Sequence, residues 1–316
     1  MDKDGFTAYL ESKGFAVKTI AKHVNYVEQF LAKTKKEDIQ VTKPDVLKFL
    51  EYLKNHRKVQ NEYRSYYLNA LNYYFTFLYQ AGQIDQNPCL LLKIRGTNKK
   101  RLYKIYTSEE LEQLFDNYYQ LFVRNYDDNR IPKHQQQYTA LSRERNALIV
   151  SILIYQGLTT GEVERIEIND LDLIKATLKI QGGKRANERI LPLKATQIGL
   201  LMHYLQNIRP KLLEYQTTES NKLFLLLPNI SQKKTANDDL RNVFTVMIPG
   251  QIKSIDKQFI NFKQVRASVI TCWIKTQGLR KAQYLAGHRY ISATEKYLPN
   301  NLDDLIEDIN KLHPFL

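Results

Sequence analysis

After Asn87-Pro88 the chain loses its helical rhythm. The stretch from Lys93 to Arg101 reads Lys-Ile-Arg-Gly-Thr-Asn-Lys-Lys-Arg, with one glycine, five cations and no apolar stripe. Such a segment has no face to bury, so it divides the 316 residues into two blocks that must each build a core. The expected organisation is a helical domain over residues 1–95, a basic linker over 96–106, and a larger domain over 107–316 that closes with a helix over 301–316. The fold class expected is mainly α with a small β-hairpin or sheet (α+β).

In the first block, apolar residues recur at helical spacing. Phe6, Tyr9 and Leu10 mark a short helix that stops near Gly14. Ile20, Val24, Val27, Phe30 and Leu31 form the stripe of a second helix. Pro44 suits a first turn, followed by Val46, Leu47, Leu50 and Leu53 on one face. A fourth helix runs from about Glu62 to Gln80 and ends at Gly82. Positive charge concentrates here. Residues 1–105 hold 19 Lys and Arg against 10 Asp and Glu, and the remaining 211 residues hold 28 against 23. Lys18, Lys22, Arg57, Lys58 and Arg64, with Lys99, Lys100 and Arg101 of the linker, are the candidate phosphate contacts, and binding through them would be strongly salt-dependent.

The larger block opens at Thr107-Ser108-Glu109-Glu110, an N-terminal helix signal. The Gln/Asn-rich stretch 125–140 reads as an exposed loop, and an apolar helix then runs from Arg143 to Tyr155 and ends at Gly157. Thr159 and Glu162 form a capping box for the next helix. Residues 176–193 read as a β-hairpin, with Leu178 and Ile180 on one arm, Ile190 and Pro192-Leu193 on the other, and Lys184 at the tip. Asn261 and Gln264 can cap a helix that reaches about Gln277 and stops at Gly278. Lys263 and Arg266 share its first turn, a favourable place for an anion. His288 follows Gly287 in a turn. Ser292 and Glu295 read as a further capping box, which puts Tyr297 in the second turn of a helix. Leu302, Leu305, Ile306, Ile309 and Leu312 then line one stripe of the last helix.

Composition narrows the function. A formal charge of +14 and a pI near 9.5 draw polyanions, nucleic acid first. Cys89 and Cys272, far apart and outside any C-x-x-C pattern, point away from disulfides and zinc and toward a reducing, cytoplasmic setting. The longest apolar run, Ala147 to Tyr155, is too short for a membrane span, and no apolar segment follows Met1-Asp2-Lys3-Asp4. No G-x-x-x-x-G-K-[ST] nucleotide-binding motif occurs in the chain.

Arg266, His288 at 22 residues beyond it, and Tyr297 nine residues further, preceded by a hairpin lysine, resemble the tyrosine recombinases, or phage integrases. The hairpin ending Glu188-Arg189-Ile190-Leu191-Pro192-Leu193 and the segment Tyr284-Leu285-Ala286-Gly287-His288 are also similar. The likeness spans essentially the whole chain and is nearest in layout to short Xer-like or mobile-element integrases. It implies a helical core-binding (SAM-like) domain over 1–95 and a catalytic domain with Tyr297, His288, Arg266, Lys184 and Lys263 as site residues. It further implies cleavage and rejoining of double-stranded DNA through a 3′-phosphotyrosyl bond, without metal, nucleotide or other cofactor, by a tetramer on two DNA sites that exchanges C-terminal helices. A cytoplasmic, nucleoid-associated setting is the one expected. Two positions depart from the family. Thr159 stands where the first arginine of the Gly-Leu-Arg box is usual, and Lys263 stands where a histidine precedes the second arginine. Lys263, then Arg185, are the residues expected to compensate. Two other readings stay open: a catalytically impaired DNA-binding relative, and a type IB topoisomerase-like activity.

Overall fold

A computed structural model of the protein describes residues 1–96, 104–127, 129, 131–183, 186–216, 219–226 and 240–298. Lys99, Lys100, Arg101, Lys184, Arg185 and the expected helix 301–316 lie outside the described residues. The chain falls into two units, Met1–Arg101 and Leu102–Leu316.

Four helices make up the N-terminal unit: α1 (Lys3–Ser12), α2 (Val17–Thr34), α3 (Lys43–Asn55) and α4 (Asn61–Gln80). The Asp2 carboxylate caps α1 by accepting the Gly5 amide. Thr42 and Asp45 form a reciprocal capping box on α3, with Pro44 in its first turn. The apolar stripes meet in one core, in which Phe6 packs edge-on against Tyr74 at 5.0 Å and Phe30 against Phe49 at 5.1 Å. Cys89 lies in this core, and burial pushes its thiol up to about 12, so it is an inert packing residue.

The C-terminal unit begins with α5 (Ser108–Tyr119), capped by the Thr107–Glu110 box and prolonged by a π-helical turn over 120–124. Then come α6 (Lys133–Tyr155) and the short α7 (Thr160–Val163). Strands β1 (Leu171–Asp172), β2 (Thr177–Ile180) and β3 (Arg189–Pro192) form an antiparallel sheet in that order. Helices α8 (Ala195–His203) and α9 (Arg209–Leu213) follow, joined by a π-helical stretch, and then α10 (Ile248–Ile255), α11 (Phe262–Ala286) and α12 (Ile291–Glu295). The core is built round α6, whose Leu148, Ile149, Val150, Ile152 and Leu153 are all nearly closed to solvent. An apolar helix without a polar face is stable only when surrounded, and α5, α8 and α11 surround it.

Several expectations change. Residues 133–140 are helix, so α6 starts ten residues before the expected Arg143. Gln and Lys are good helix formers, and Tyr138 packs edge-on against Tyr215 at 5.9 Å, which gives a polar-looking stretch a tertiary anchor. Strand β1, two residues long, was too short to show alternation. Ile190 is 54% exposed, while its neighbours Arg189 and Leu191 point inward. Helix α11 breaks at Gly278 (φ 80°), as expected of the stop, but a second helical segment continues to Ala286. Ser292 and Glu295 do not make a capping box. Helix α12 starts at Ile291 with Tyr290 in the cap position, so Ser292 falls inside its first turn and Tyr297 lies just beyond its end.

Candidate active site

Four short pieces of the C-terminal unit converge on Arg266. The first is the turn after α6. Gly157 there has φ +56°, and a Cβ at that position would stand 2.9 Å from Val269 Cγ1, so α11 packs against bare backbone. That approach lets Arg266 Nη1 donate to Gly157 O at 2.6 Å. Nη2 donates to Ala286 O at 2.7 Å and faces His288 Nε2 at 3.5 Å. Carbonyls from two helix ends thus hold the guanidinium in one orientation. Burial lowers the Arg266 pKa, and Glu162, whose Oε2 is 3.5 Å from Nη1, opposes that shift.

The second piece is the Thr159–Glu162 box. Glu162 Oε2 accepts the Thr159 amide at 2.8 Å and its hydroxyl at 2.9 Å, and Thr159 Oγ1 accepts the Glu162 amide at 3.2 Å. Thr159 therefore has its hydroxyl hydrogen committed to the cap and brings no charge. Burial would raise the Glu162 pKa, but the hydrogen bond and charge of Arg189 prevail, and the carboxyl sits below its usual range.

The third piece is the sheet. Arg189 Nη1 donates to Glu162 Oε1 at 2.8 Å with both side chains buried. Beyond β2 the hairpin narrows at Gly183 and Ala186, Ala186 bridges to His288, and Asn187 N donates to Gly287 O at 2.9 Å. The hairpin is thereby tied by backbone to the turn that carries His288.

The fourth piece is that turn with α12. Gly287 adopts φ +70°, ends α11 and reverses the chain. His288 Nδ1 lies 2.9 Å from Thr294 Oγ1, and its ring stacks on Tyr297 with centroids 5.8 Å apart and planes 9° apart. Burial, then the charges of Arg266 and Arg189, bring the imidazole down to about 4, so it is neutral at neutral pH. Tyr297, half-buried, also acts electrostatically on Arg266.

Arg266, His288 and Tyr297 are therefore in one cluster. Lys263 is exposed, and its ammonium has no hydrogen bond or ion pair among the described residues. Arg189, Glu162 as an ion-pair partner, and Thr294 are members that sequence reasoning missed. For Arg189 the signal was present: with Leu191 in the apolar phase of β3, the two-residue period turns Arg189 inward as well. In the N-terminal unit Lys18, Lys22, Arg57 and Lys58 are exposed. Arg64 is half-buried and donates to Leu50 O and Asn61 Oδ1, and Arg57 Nη1 donates to Gln29 Oε1. No group of carboxylate, His or Cys side chains among the described residues is arranged to hold a metal ion, and no described helix is long and apolar enough to cross a membrane.

The comparisons with known proteins give the class, a DNA strand-cleaving and rejoining enzyme. Residues 127–303 match the phage integrase family and residues 4–82 match the phage integrase N-terminal SAM-like domain; the chain belongs to this family, the tyrosine recombinases. It is 25% identical over 317 residues to tyrosine recombinase XerC of Oceanobacillus iheyensis, covering 98% of this chain and 95% of that one. Its fold is similar to that of XerH site-specific recombinase bound to difH substrate (TM-score 0.60, 19% identity, 91% of this chain and 77% of that one). A lambda integrase dimer bound to a COC′ core site is as similar (TM-score 0.60, 13% identity, 93% of each chain).

Proposed function

We propose that the protein is a site-specific recombinase of a mobile element or resolution system that breaks and rejoins duplex DNA through a 3′-phosphotyrosyl bond to Tyr297. The observation that carries this reading is the meeting of Arg266, His288 and Tyr297, from α11, the Gly287 turn and the end of α12, within hydrogen-bond and stacking distance.

In the forward step Tyr297 Oη attacks a backbone phosphorus. The P–O5′ bond breaks, the phenol proton leaves, and the 5′-oxygen takes up a proton as it departs. Phosphodiester energy is kept in the new ester, so attack by a 5′-hydroxyl reverses the step without a nucleotide. Arg266 donates to the non-bridging oxygens, where charge grows in the transition state. His288 is kept neutral in the free protein and meets the same oxygens with Nε2 while Thr294 holds Nδ1. An incoming phosphate offsets the two arginines and raises the imidazole pKa, so the ring can then take up a proton. Lys184 is the proposed proton donor to the 5′-oxygen, and Lys263 a proposed base or supplementary cation.

Lys18, Lys22, Arg57, Lys58, Arg64, Lys99, Lys100 and Arg101 are the proposed phosphate contacts on double-stranded DNA. The protein is proposed to act in the cytoplasm as a tetramer on two sites, with residues 301–316 exchanged between protomers. The engagement of Thr159 with its cap favours one competing reading, a relative that binds DNA without cutting it. Incubation with nicked duplexes separates the two: a covalent adduct on a denaturing gel, lost in Tyr297→Phe, supports the recombinase, and an adduct that persists in Tyr297→Phe overturns it. Plasmid relaxation without exchange between two sites would mark a topoisomerase instead.

A further inference from the structure

Behind Arg266 lies a second guanidinium that the proposed reaction leaves unused. The Arg189 side chain is wholly closed to solvent. Its Nη1 is bonded to Glu162, yet Nε and Nη2 have no hydrogen-bond partner among the described residues. An arginine present only to neutralise a carboxylate would bind it through both prongs of its fork, because buried N–H groups left unpaired are costly. Here the second carboxylate oxygen is taken by Thr159 and faces Arg266. One carboxylate thus bridges two arginines. Space for the second is made by Gly287, where a Cβ would stand 2.9 Å from Arg189 Cζ and 3.2 Å from its Cδ.

Charge arithmetic gives this arrangement its meaning. Arg189, Glu162 and Arg266 together carry one net positive charge. Without Arg189, the Glu162 carboxylate would cancel Arg266, and with an uncharged residue at 159 nothing in the buried cluster would remain for a phosphate. We propose that Arg189 is a positioning residue of the cleavage site: by taking up Glu162 from β3, it leaves the Arg266 charge free for the scissile phosphate and holds the Gly287-His288 turn beside it. This inference rests on the recombinase reading above. The shared field reaches His288, on which Arg189 and Arg266 both act after burial in lowering the imidazole pKa.

The test uses the full-length protein and a nicked duplex bearing the cleavage site mapped for the wild type, and compares Arg189→Gln, Arg189→Lys and the double variant Arg189→Gln/Glu162→Gln. A glutamine at 162 still completes the capping box, so the double variant removes two buried charges and keeps the turn. Arg189→Gln is expected to slow adduct formation by about 100-fold with DNA affinity unchanged. Arg189→Lys is expected to retain most of the rate, and the double variant to regain most of what Arg189→Gln loses. A readout without DNA accompanies these: the His288 imidazole, followed by NMR, should titrate at higher pH in Arg189→Gln than in wild type. Wild-type cleavage by Arg189→Gln, a double variant no faster than the single one, or an unmoved His288 titration would overturn the proposal. Failure of the wild type itself to form an adduct would instead overturn the recombinase reading.

Discussion

The interiors of the two units are built on different terms. In the N-terminal unit every described residue of the core is apolar or aromatic, and the excess lysines and arginines stand outside. The buried polar and charged residues among those described all belong to the C-terminal unit: they include Arg143, Arg145, Glu162, Arg189 and Arg209. An apolar core gains stability from area removed from water and tolerates approximate shape. A buried guanidinium is costly unless its partners are in place, and in return it fixes which carbonyl faces which side chain. Arg145 shows the pattern away from the site. Fully buried, it donates to Leu225 O at 2.8 Å and to Asn146 and Ser142, so it pins the 223–226 segment to α6. The N-terminal unit can present a charged surface on a robust core. The C-terminal unit must hold a few atoms to within half an ångström, and it spends stability on doing so.

The comparison can be broken by substitution. Phe30→Ala removes an aromatic side chain from the N-terminal core and should cost about 3–5 kcal/mol of that unit's stability, measured by urea unfolding. Adduct formation per bound DNA molecule should be unaffected where the variant is folded. Arg266→Ala should do the reverse, cutting adduct formation by about 10²–10³-fold in a nicked-duplex assay while DNA binding by mobility shift persists.

A smaller effect follows from His288. Its folded pKa lies below the ordinary histidine value, so the unfolded chain binds the extra proton between about pH 6.5 and 4. The stabilisation is fully present above pH 6.5 and is lost as the pH falls through that window. Allowing for partial exposure it amounts to about 2 kcal/mol. Thermal unfolding from pH 7 to 4 should show this loss, and His288→Gln should remove that part of it. Glu162, held below its usual pKa, adds a loss of the same sign at still lower pH. Smallest is the effect of a surface charge. Lys18→Ala should weaken binding evenly across duplex sequences and reduce the slope of log affinity against log salt by about 0.9 if that lysine contacts a phosphate. An unchanged slope would remove Lys18 from the footprint.

The helices were legible wherever an apolar stripe and a cap coincided, as in α3 and α5. Legibility failed where tertiary contact overrode composition. The start of α6 is polar in sequence and helical because Tyr138 has Tyr215 to pack on. The start of α12 shifted by two residues, from a cap at Ser292 to one at Tyr290 that no side chain completes, and Tyr297 moved from the expected helix interior to its exit. Arg266, His288 and Tyr297 were visible as an ordered set with recognisable spacing. Glu162 was visible only as a cap, because a capping carboxylate and a bridging one have the same local sequence.

The chain by itself determined its mainly helical class, the division of its charge, and the identity of the residues between Lys263 and Tyr297. Those depend on periodicity, caps and composition, which act over a few residues. What surrounds Thr159 was decided only in three dimensions. The expected compensation lay in Lys263, which is exposed, or Arg185, outside the described residues. The fully buried cation that hydrogen-bonds Glu162 is Arg189, 27 residues along the chain, brought there by the pleat of β3 and admitted by the missing side chain of Gly287. Electrostatic coupling depends on distance through space and on exclusion of water, and neither is written in the local sequence.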